Sequence, residues 1–293
     1  MNIQLFQIKK TQSSATTLPD MSSLDAITSQ LPDGYYSTFR TYDSCTRVIG
    51  LSAHLRRLPN VDASALRWNL LQLLEPFRPA EARVRIMETK QGQFYISIEP
   101  LKLLTREIYE NGVSVETTTI HRDDPRAKST AFISASDEER KHIAQAGIFE
   151  ALLVKNGKIL EGMTSNFFYI LRPERSEAQS KDEFARALRL RREEHASAQR
   201  EIIYTAQRDI LLGVTRTMVI RAARGRGVEV RYSPLKLNQL PAVKEAFITS
   251  SSRGIVPVVQ IDEIKIGQGS PGKVTKLLMS AYDEYVLKNA EKI

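Results

Sequence analysis

Three segments of this 293-residue chain carry residue types that could do chemistry. Glu161 stands between Leu160 and Gly162 on the return strand of a hairpin sequence, ALLVKNGKILEG. It is either a solvated edge-strand glutamate or a buried acid, and a buried acid needs a partner. Gly213-Val214-Thr215 precedes a helical pattern. A helix's first turn has free backbone N–H groups and a partial positive charge, enough to hold a phosphate, although most such turns bind only water. Thr249-Ser250-Ser251-Ser252 lies between two strand patterns and is either a further set of donors or a polar turn. Lysine amines form Schiff bases with aldehydes, but nothing next to Lys128 separates it from the other lysines.

Other chemistries lose their usual support. No two of His54, His121, His142 and His195 have the close spacing of metal ligands on one element. The single cysteine, Cys45, excludes an internal disulfide and cysteine-pair metal sites, so no metal is expected. There is no G-x-S-x-G elbow and no Walker A sequence. GQGSPG (267–272) has dinucleotide-fingerprint spacing, but that fingerprint needs a βαβ unit and a downstream acid, and only 21 residues follow Gly272. It reads as a glycine turn entering the last helix.

The elements that must position these residues mix strand and helix signals. Residues 35–50 read as a hairpin turning at Tyr42–Cys45, followed by a short helix with Ser52 at its N-cap. Residues 62–77 have helical spacing at Leu66, Leu70, Leu71 and Leu74. Two alternating runs about Gln91-Gly92 predict a second hairpin, and Val113–Thr119 one more strand. Ser136 with Glu139 has the capping-box spacing, and Asn156-Gly157 is the preferred pair for a type I′ turn. Thr215 suits the N-cap of the next helix, and Ser270-Pro271 the start of the last.

With 42% hydrophobic and 26% charged residues the composition is that of a globular protein. No apolar run approaches the ~18–20 residues of a membrane span, and the N-terminal segment lacks the apolar core of a secretory signal. A cytoplasmic protein with no membrane partner is expected. The net charge of +8 attracts anions in general. Residues 172–200 interleave basic and acidic side chains around one aromatic, Phe184. They read as a solvated helix or mobile insertion, not a nucleic-acid arm.

Taken in order, these segments resemble the class IV aminotransferases, which include branched-chain aminotransferases, D-amino-acid transaminases and 4-amino-4-deoxychorismate lyases. GYYSTFRTY and HLRRL are similar to the family's first hairpin and H-x-x-R-L helix, and RDDPRAK to the segment ending in its Schiff-base lysine. EALLVKNGKILEGMTSNFF is similar to its E-G-x-x-x-N block, and LLGVTR, EAFITSSSRGIVPV and IGQGSPGKVT follow at its intervals. The resemblance runs from about Gly34 to Tyr282. EGMTSNFF and EAFITSSSR resemble most a subgroup spanning D-amino-acid transaminases and aminodeoxychorismate lyases.

The resemblance implies a two-domain α+β fold with pyridoxal 5′-phosphate between the domains. Residues 1–120 would be the first domain, 121–127 the connection, and 128–293 a pseudo-barrel domain interrupted by the charged insertion. Lys128 would carry the cofactor as a Schiff base and act as the catalytic base, and Glu161 would pair with the ring nitrogen. Arg57, Val214, Thr215 and Ser251 or Ser252 would hold the phosphate, Leu211 the ring face, with Thr164 and Ser165 also at the cofactor. Tyr36, Thr38 and Arg40 would line the substrate side. The implied reaction is amino transfer between an amino acid and a 2-oxo acid in a homodimer. Pyruvate release from aminodeoxychorismate is the alternative, and a basic nucleic-acid-binding protein a remote one. The chain departs from the family after Lys128, where STAFI lacks the usual Asn or Tyr, and YISIEPLKLL lacks the Arg-x-His carboxylate trap of D-amino-acid transaminases.

Overall fold

Two large sheets and a two-strand ladder of Arg47–Ile49 with Ala290–Lys292 form among the described residues, and the burial patterns of the strands account for the two large ones. The computed structural model describes residues 2–172 and 201–293. The chain begins with β1 (Gln4–Lys9), β2 (Gln12–Thr16), α1 (Leu24–Ser29), β3 (Gly34–Arg40), β4 (Arg47–Ile49), α2 (Leu51–Leu55) and α3 (Ala63–Leu74). It continues with β5 (Ala82–Thr89), β6 (Phe94–Pro100), α4 (Arg106–Asn111), β7 (Val113–Thr118), α5 (Ala131–Ala135) and α6 (Asp137–Gln145). Next come β8 (Glu150–Lys155), β9 (Lys158–Gly162), β10 (Asn166–Leu171), β11 (Ile202–Thr205), α7 (Val214–Gly225), β12 (Glu229–Tyr232) and β13 (Leu235–Lys236). The chain ends with β14 (Val243–Ser250), β15 (Gly254–Ile261), β16 (Ile264–Lys265), α8 (Lys273–Asn289) and β17 (Ala290–Lys292).

The first sheet is antiparallel in the order β2-β1-β6-β5-β3. Its period of two sends Val84, Ile86, Ile96 and Ile98 into one core with Leu66, Leu70 and Leu74 of α3. The other face carries Tyr36, Met87 and Tyr95, which pack with Ile27 of α1. Tyr36 and Thr38 therefore share a face, opposite Phe39.

In the second sheet β10, β14, β15, β7, β8 and β9 follow one another, and β9 pairs back to β10. The pairing that closes this barrel is Glu161 opposite Asn166. β10 reads NFFYIL, with no polar alternation after Asn166, because both of its faces are covered. Phe167 and Tyr169 join Leu152, Ile248 and Val256 in one cluster. Phe168 and Ile170 join Phe247, Val219 of α7 and Leu278 of α8 in another.

Several expected details differ. β3 and β4 do not pair with each other: β3 pairs with β5 and β4 with β17, and an isolated bridge joins Tyr42, past the end of β3, to Arg47. The turn between them is nonetheless real: Asp43, Ser44 and Cys45 all have positive φ, and Glu81 accepts the N–H groups of Ser44 and Cys45. Gly50, not Ser52, caps α2, and Gly213, not Thr215, caps α7. Ser136 sits at the N-cap of α6 without a capping bond, since its hydroxyl donates to Phe132 O at 2.6 Å. The last helix starts at Lys273, past Pro271. β7 pairs with β8 and β15 although it precedes the expected connection at 121–127. The charged stretch expected at 172–200 lies outside the described residues apart from Arg172. No helix among the described residues is long and apolar enough to cross a membrane.

Phe247 is fully buried and stacks on Phe168 with ring centroids 4.9 Å apart. Phe247→Ala should cost about 3–5 kcal/mol of unfolding free energy, read from a urea transition. A loss well under 1 kcal/mol would mean that this ring is not part of the core holding the helices to the barrel.

Candidate active site

A cavity of about 350 Å³ opens between the first sheet and the barrel. Its centre is the barrel closure. Glu161 is buried there at 2% exposure. Its Oε1 accepts from Arg122 Nε at 3.1 Å, and its Oε2 from Asn166 Nδ2 at 3.2 Å and the Leu211 N–H at 3.0 Å. A carboxylate has about four acceptor positions, so roughly one remains free. Burial pushes the Glu161 pKa up to about 7, against the opposing charge of Arg122. Glu161 is thus the buried acid, not the solvated edge glutamate.

Arg122 is held by more than its ion pair. Its Nη2 donates to Met163 O at 2.6 Å, and its guanidinium lies 3.8 Å from the centroid of Phe132. Nη1 is buried with no partner among the described residues. Neither Arg122 nor its role was foreseeable from RDDPRAK, where two arginines compete and only the fold chooses between them.

Lys128 is fixed from the other side. Its carbonyl accepts the Tyr36 N–H at 3.0 Å, Thr130 N–H donates to Gly34 O at 3.0 Å, and Ser129 bridges Tyr35. This short pairing against β3 sets Lys128 Nζ 4.7 Å from the Tyr36 ring centroid. Burial, then the charges of Arg122, Arg57 and Arg85, hold its pKa well below the usual lysine range. Such an amine is a nucleophile and a base.

Anion-binding features gather at the other end. Gly213 leads into α7, and a Cβ on it would lie 2.0 Å from Asn166 Oδ1, so only glycine fits there. Val214 and Thr215 begin the helix, and Thr215 Oγ1 lies 3.1 Å from Ser251 Oγ. Arg57 Nη2 donates to Leu212 O at 2.7 Å, and burial lowers its pKa to about 10. Ser165 and Thr249 line this wall, and their hydroxyl groups are buried without partners among the described residues. Thr164 is tied elsewhere: its hydroxyl donates to Glu150 and accepts from Arg253.

The structure brings Tyr36, Thr38, Arg57, Lys128, Glu161, Thr164, Ser165, Leu211, Val214, Thr215, Ser251 and Ser252 to one cavity. Arg40 is not among its lining residues. β3 carries it a further step along the strand, and its guanidinium stacks 4.6 Å from the Tyr42 ring centroid. Unforeseen lining residues include Arg85, Asp25 and Arg140. Arg85 and Arg140 share the Asp25 carboxylate at 2.6 and 3.1 Å. Burial disfavours the charge on Asp25, but these two guanidinium groups outweigh it and lower its pKa. No group of three or more potential ligands that could hold a metal ion occurs among the described residues.

The sequence model of the family described as amino-transferase class IV matches residues 35–261, and the chain belongs to that family. It is 24% identical over 290 residues to a D-alanine aminotransferase of Bacillus licheniformis, covering 90% of this chain and 91% of that protein. A putative branched-chain-amino-acid aminotransferase of Methanocaldococcus jannaschii is 25% identical, covering 89% and 90%. Among solved structures, a PLP-bound hypothetical aminotransferase from Mycobacterium tuberculosis superposes with a TM-score of 0.73 at 16% identity, covering 97% of this chain and 99% of that one. A putative branched-chain amino acid aminotransferase from Thermotoga maritima gives 0.69 at 21% identity, covering 97% and 96%.

A buried amine with a lowered pKa leaves a signature in stability. Below about pH 10.5 the unfolded lysine is protonated while the folded one resists protonation, so Lys128 costs stability that returns as pH rises toward that value. Lys128→Met should therefore stabilise the cofactor-free protein at pH 7 by at least about 1 kcal/mol, with the gain shrinking by pH 10. Urea midpoints at both pH values test this, and a pH-independent difference would count against an uncharged amine.

Proposed function

We propose that the cavity binds pyridoxal 5′-phosphate and that the protein transfers an amino group between an amino acid and a 2-oxo acid. The observation that carries this reading is a buried Glu161 and a desolvated Lys128 lining one cavity whose far wall is a helix N-terminus with Arg57 beside it. The fit has its own support: Arg122, Ser165 and Thr249 line this cavity, and each carries a buried polar side-chain atom without a hydrogen-bond partner among the described residues, a cost that a ligand bound there could relieve. Arg57, the Val214 and Thr215 N–H groups, Ser251 and Ser252 would hold the phosphate. Leu211 would pack on the ring, and Glu161 would accept a hydrogen bond from the ring nitrogen.

When bound, pyridoxal phosphate supplies an aldehyde that condenses with amines and a ring that accepts the electron pair of a carbanion. The chain's own residues supply the rest. Lys128 Nζ, its proton affinity lowered by burial and by Arg122, would be the amine that condenses with the aldehyde and, once free, the base that moves a proton from the α-carbon of an amino acid. Glu161, whose charged form Arg122 and two N–H donors favour against burial, would favour a protonated ring nitrogen. Tyr36 sits against the reacting amine and excludes water from one side of it. Membership of the family also leads us to expect a homodimer, which light scattering decides.

Protein loaded with pyridoxal phosphate should show a visible absorption band. Borohydride should then fix the added mass on the tryptic peptide containing Lys128, and Lys128→Ala should show neither. Glu161→Gln should keep the covalent link and lose about two to four orders of magnitude in amino transfer. Absence of any band would sink this reading. Pyruvate release from aminodeoxychorismate without an amino acceptor would assign lyase chemistry to the same site.

A further inference from the structure

We propose that Glu291, on the strand after α8, is a positioning residue for Arg57: its carboxylate fixes the two helices whose connection carries that guanidinium. The inference rests on the reading of Arg57 as a phosphate-binding group.

Arg57 lies between α2 and α3, in neither helix. α2 is only five residues long, too short to hold its shape without tertiary contacts. Its buried residues Leu51, His54 and Leu55 supply some of these, and His54 Nδ1 lies 2.8 Å from Ser37 Oγ of β3. Its first turn has no cap of its own. The N-cap is Gly50, with φ +66 and no side chain to offer. A Cβ there would lie 2.6 Å from Val214 Cγ1, so a residue with a capping side chain does not fit. The free N–H groups of that turn must find an acceptor elsewhere.

Glu291 is that acceptor. Its Oε2 accepts from the Ser52 N–H at 3.1 Å and from the Ser52 hydroxyl at 2.5 Å. The same oxygen accepts from Arg67 Nη2 of α3 at 3.0 Å, and Arg67 Nη2 also donates to Ser52 Oγ at 3.0 Å. One carboxylate thus joins α2 to α3, on either side of Arg57. Burial disfavours the charge on Glu291, but the bonds from Ser52 and Arg67 outweigh it and lower its pKa. The strand that carries it is itself anchored. β17 pairs with β4, Arg67 Nη1 donates to Lys292 O at 2.6 Å, and Arg47 Nη1 donates to Ala290 O at 3.0 Å.

The consequence reaches the anion cradle. Gly50 sets α2 against Val214 at the first turn of α7, and Arg57 Nη2 donates to Leu212 O just before that turn. The guanidinium and the helix N–H groups come from elements remote in sequence, so their spacing depends on where α2 sits. On the far side of the connection Asn60 is tied to Glu88 of β5. On the near side the tie runs through Ser52 to Glu291. Loss of Glu291 lets α2 shift, and Arg57 then keeps its charge but not its place.

The test compares two aldehydes, pyridoxal phosphate and pyridoxal, titrated into the full chain freed of cofactor, with the visible band as readout. The ratio of their dissociation constants reports the phosphate contacts, since a merely loosened fold weakens both alike. The wild-type protein should bind pyridoxal phosphate about a hundredfold or more tightly. Arg57→Gln should lower that preference about tenfold, and Glu291→Ala about threefold to tenfold. Glu291→Gln, which keeps an acceptor oxygen, should lose less than Glu291→Ala. Arg57→Gln combined with Glu291→Ala should match Arg57→Gln alone within about twofold, because Glu291 acts through Arg57. Losses that multiply in the double variant overturn the proposal, as does a full phosphate preference in Glu291→Ala. Equal affinity of the wild-type protein for the two aldehydes overturns the reading of Arg57 and the proposal with it. No visible band with either aldehyde removes the cofactor reading altogether.

Discussion

A carboxylate taken out of water must be given hydrogen-bond donors, and Glu161 takes them from three stretches of chain far apart in sequence. Arg122 comes from the segment after β7, Asn166 from the first position of β10, and the Leu211 N–H from the approach to α7. Each donor fixes something beyond itself. Arg122 anchors the segment that reaches Lys128 six residues later. Asn166 holds the strand pair that closes the barrel. Leu211 sets the chain two residues ahead of Gly213, where the helix N-terminus begins. One buried acid thus places the amine, the barrel seam and the anion cradle relative to one another.

Local chemistry made much of the fold legible. Asn156 and Gly157 both have positive φ, as a type I′ turn demands, and the β5–β6 hairpin turns at Gly92 with φ +78. The helix at 63–74 follows the leucine spacing and takes its cap from Asp62. Long-range pairing was not legible. Nothing in VSVETT says that β7 will run parallel to β8 and β15, because a parallel partner is chosen by the crossover and not by the strand's own pattern. The caps failed for a related reason. Ser52 and Thr215 have the right side chains, but tertiary contacts gave their hydroxyl groups other partners, Glu291 and Ser251, and Ser136, which does stand at an N-cap, spends its hydroxyl on Phe132 O one turn back.

The site divides the same way. Glu161, Lys128, Arg57 and the Gly213–Thr215 turn belong to ordered motifs, so the resemblance placed them where single residues could not. Arg122, Arg85, Asp25 and Arg140 are single charged residues in unremarkable neighbourhoods, and their meaning comes only from burial and pairing. Arg40 shows the opposite failure. The resemblance put it on the substrate side with Tyr36 and Thr38, and strand alternation does give it their face, but a shared face does not fix how far along the strand a cavity extends.

Charge ties these groups together. The cations that line this cavity also act on Lys128: the charges of Arg122, Arg57 and Arg85 work with burial to lower the proton affinity of its amine. An anion entering among them offsets their field and raises the proton affinity of that amine. Glu161 already does so, and opposes the lowering. Were a phosphate and the carboxylate of an amino acid bound as proposed, their charges would raise the proton affinity of Lys128, and anion binding would be coupled to proton uptake without any moving part. The ion pairs of Arg122 with Glu161 and of Arg85 with Asp25 would hold the cations in place while this happens.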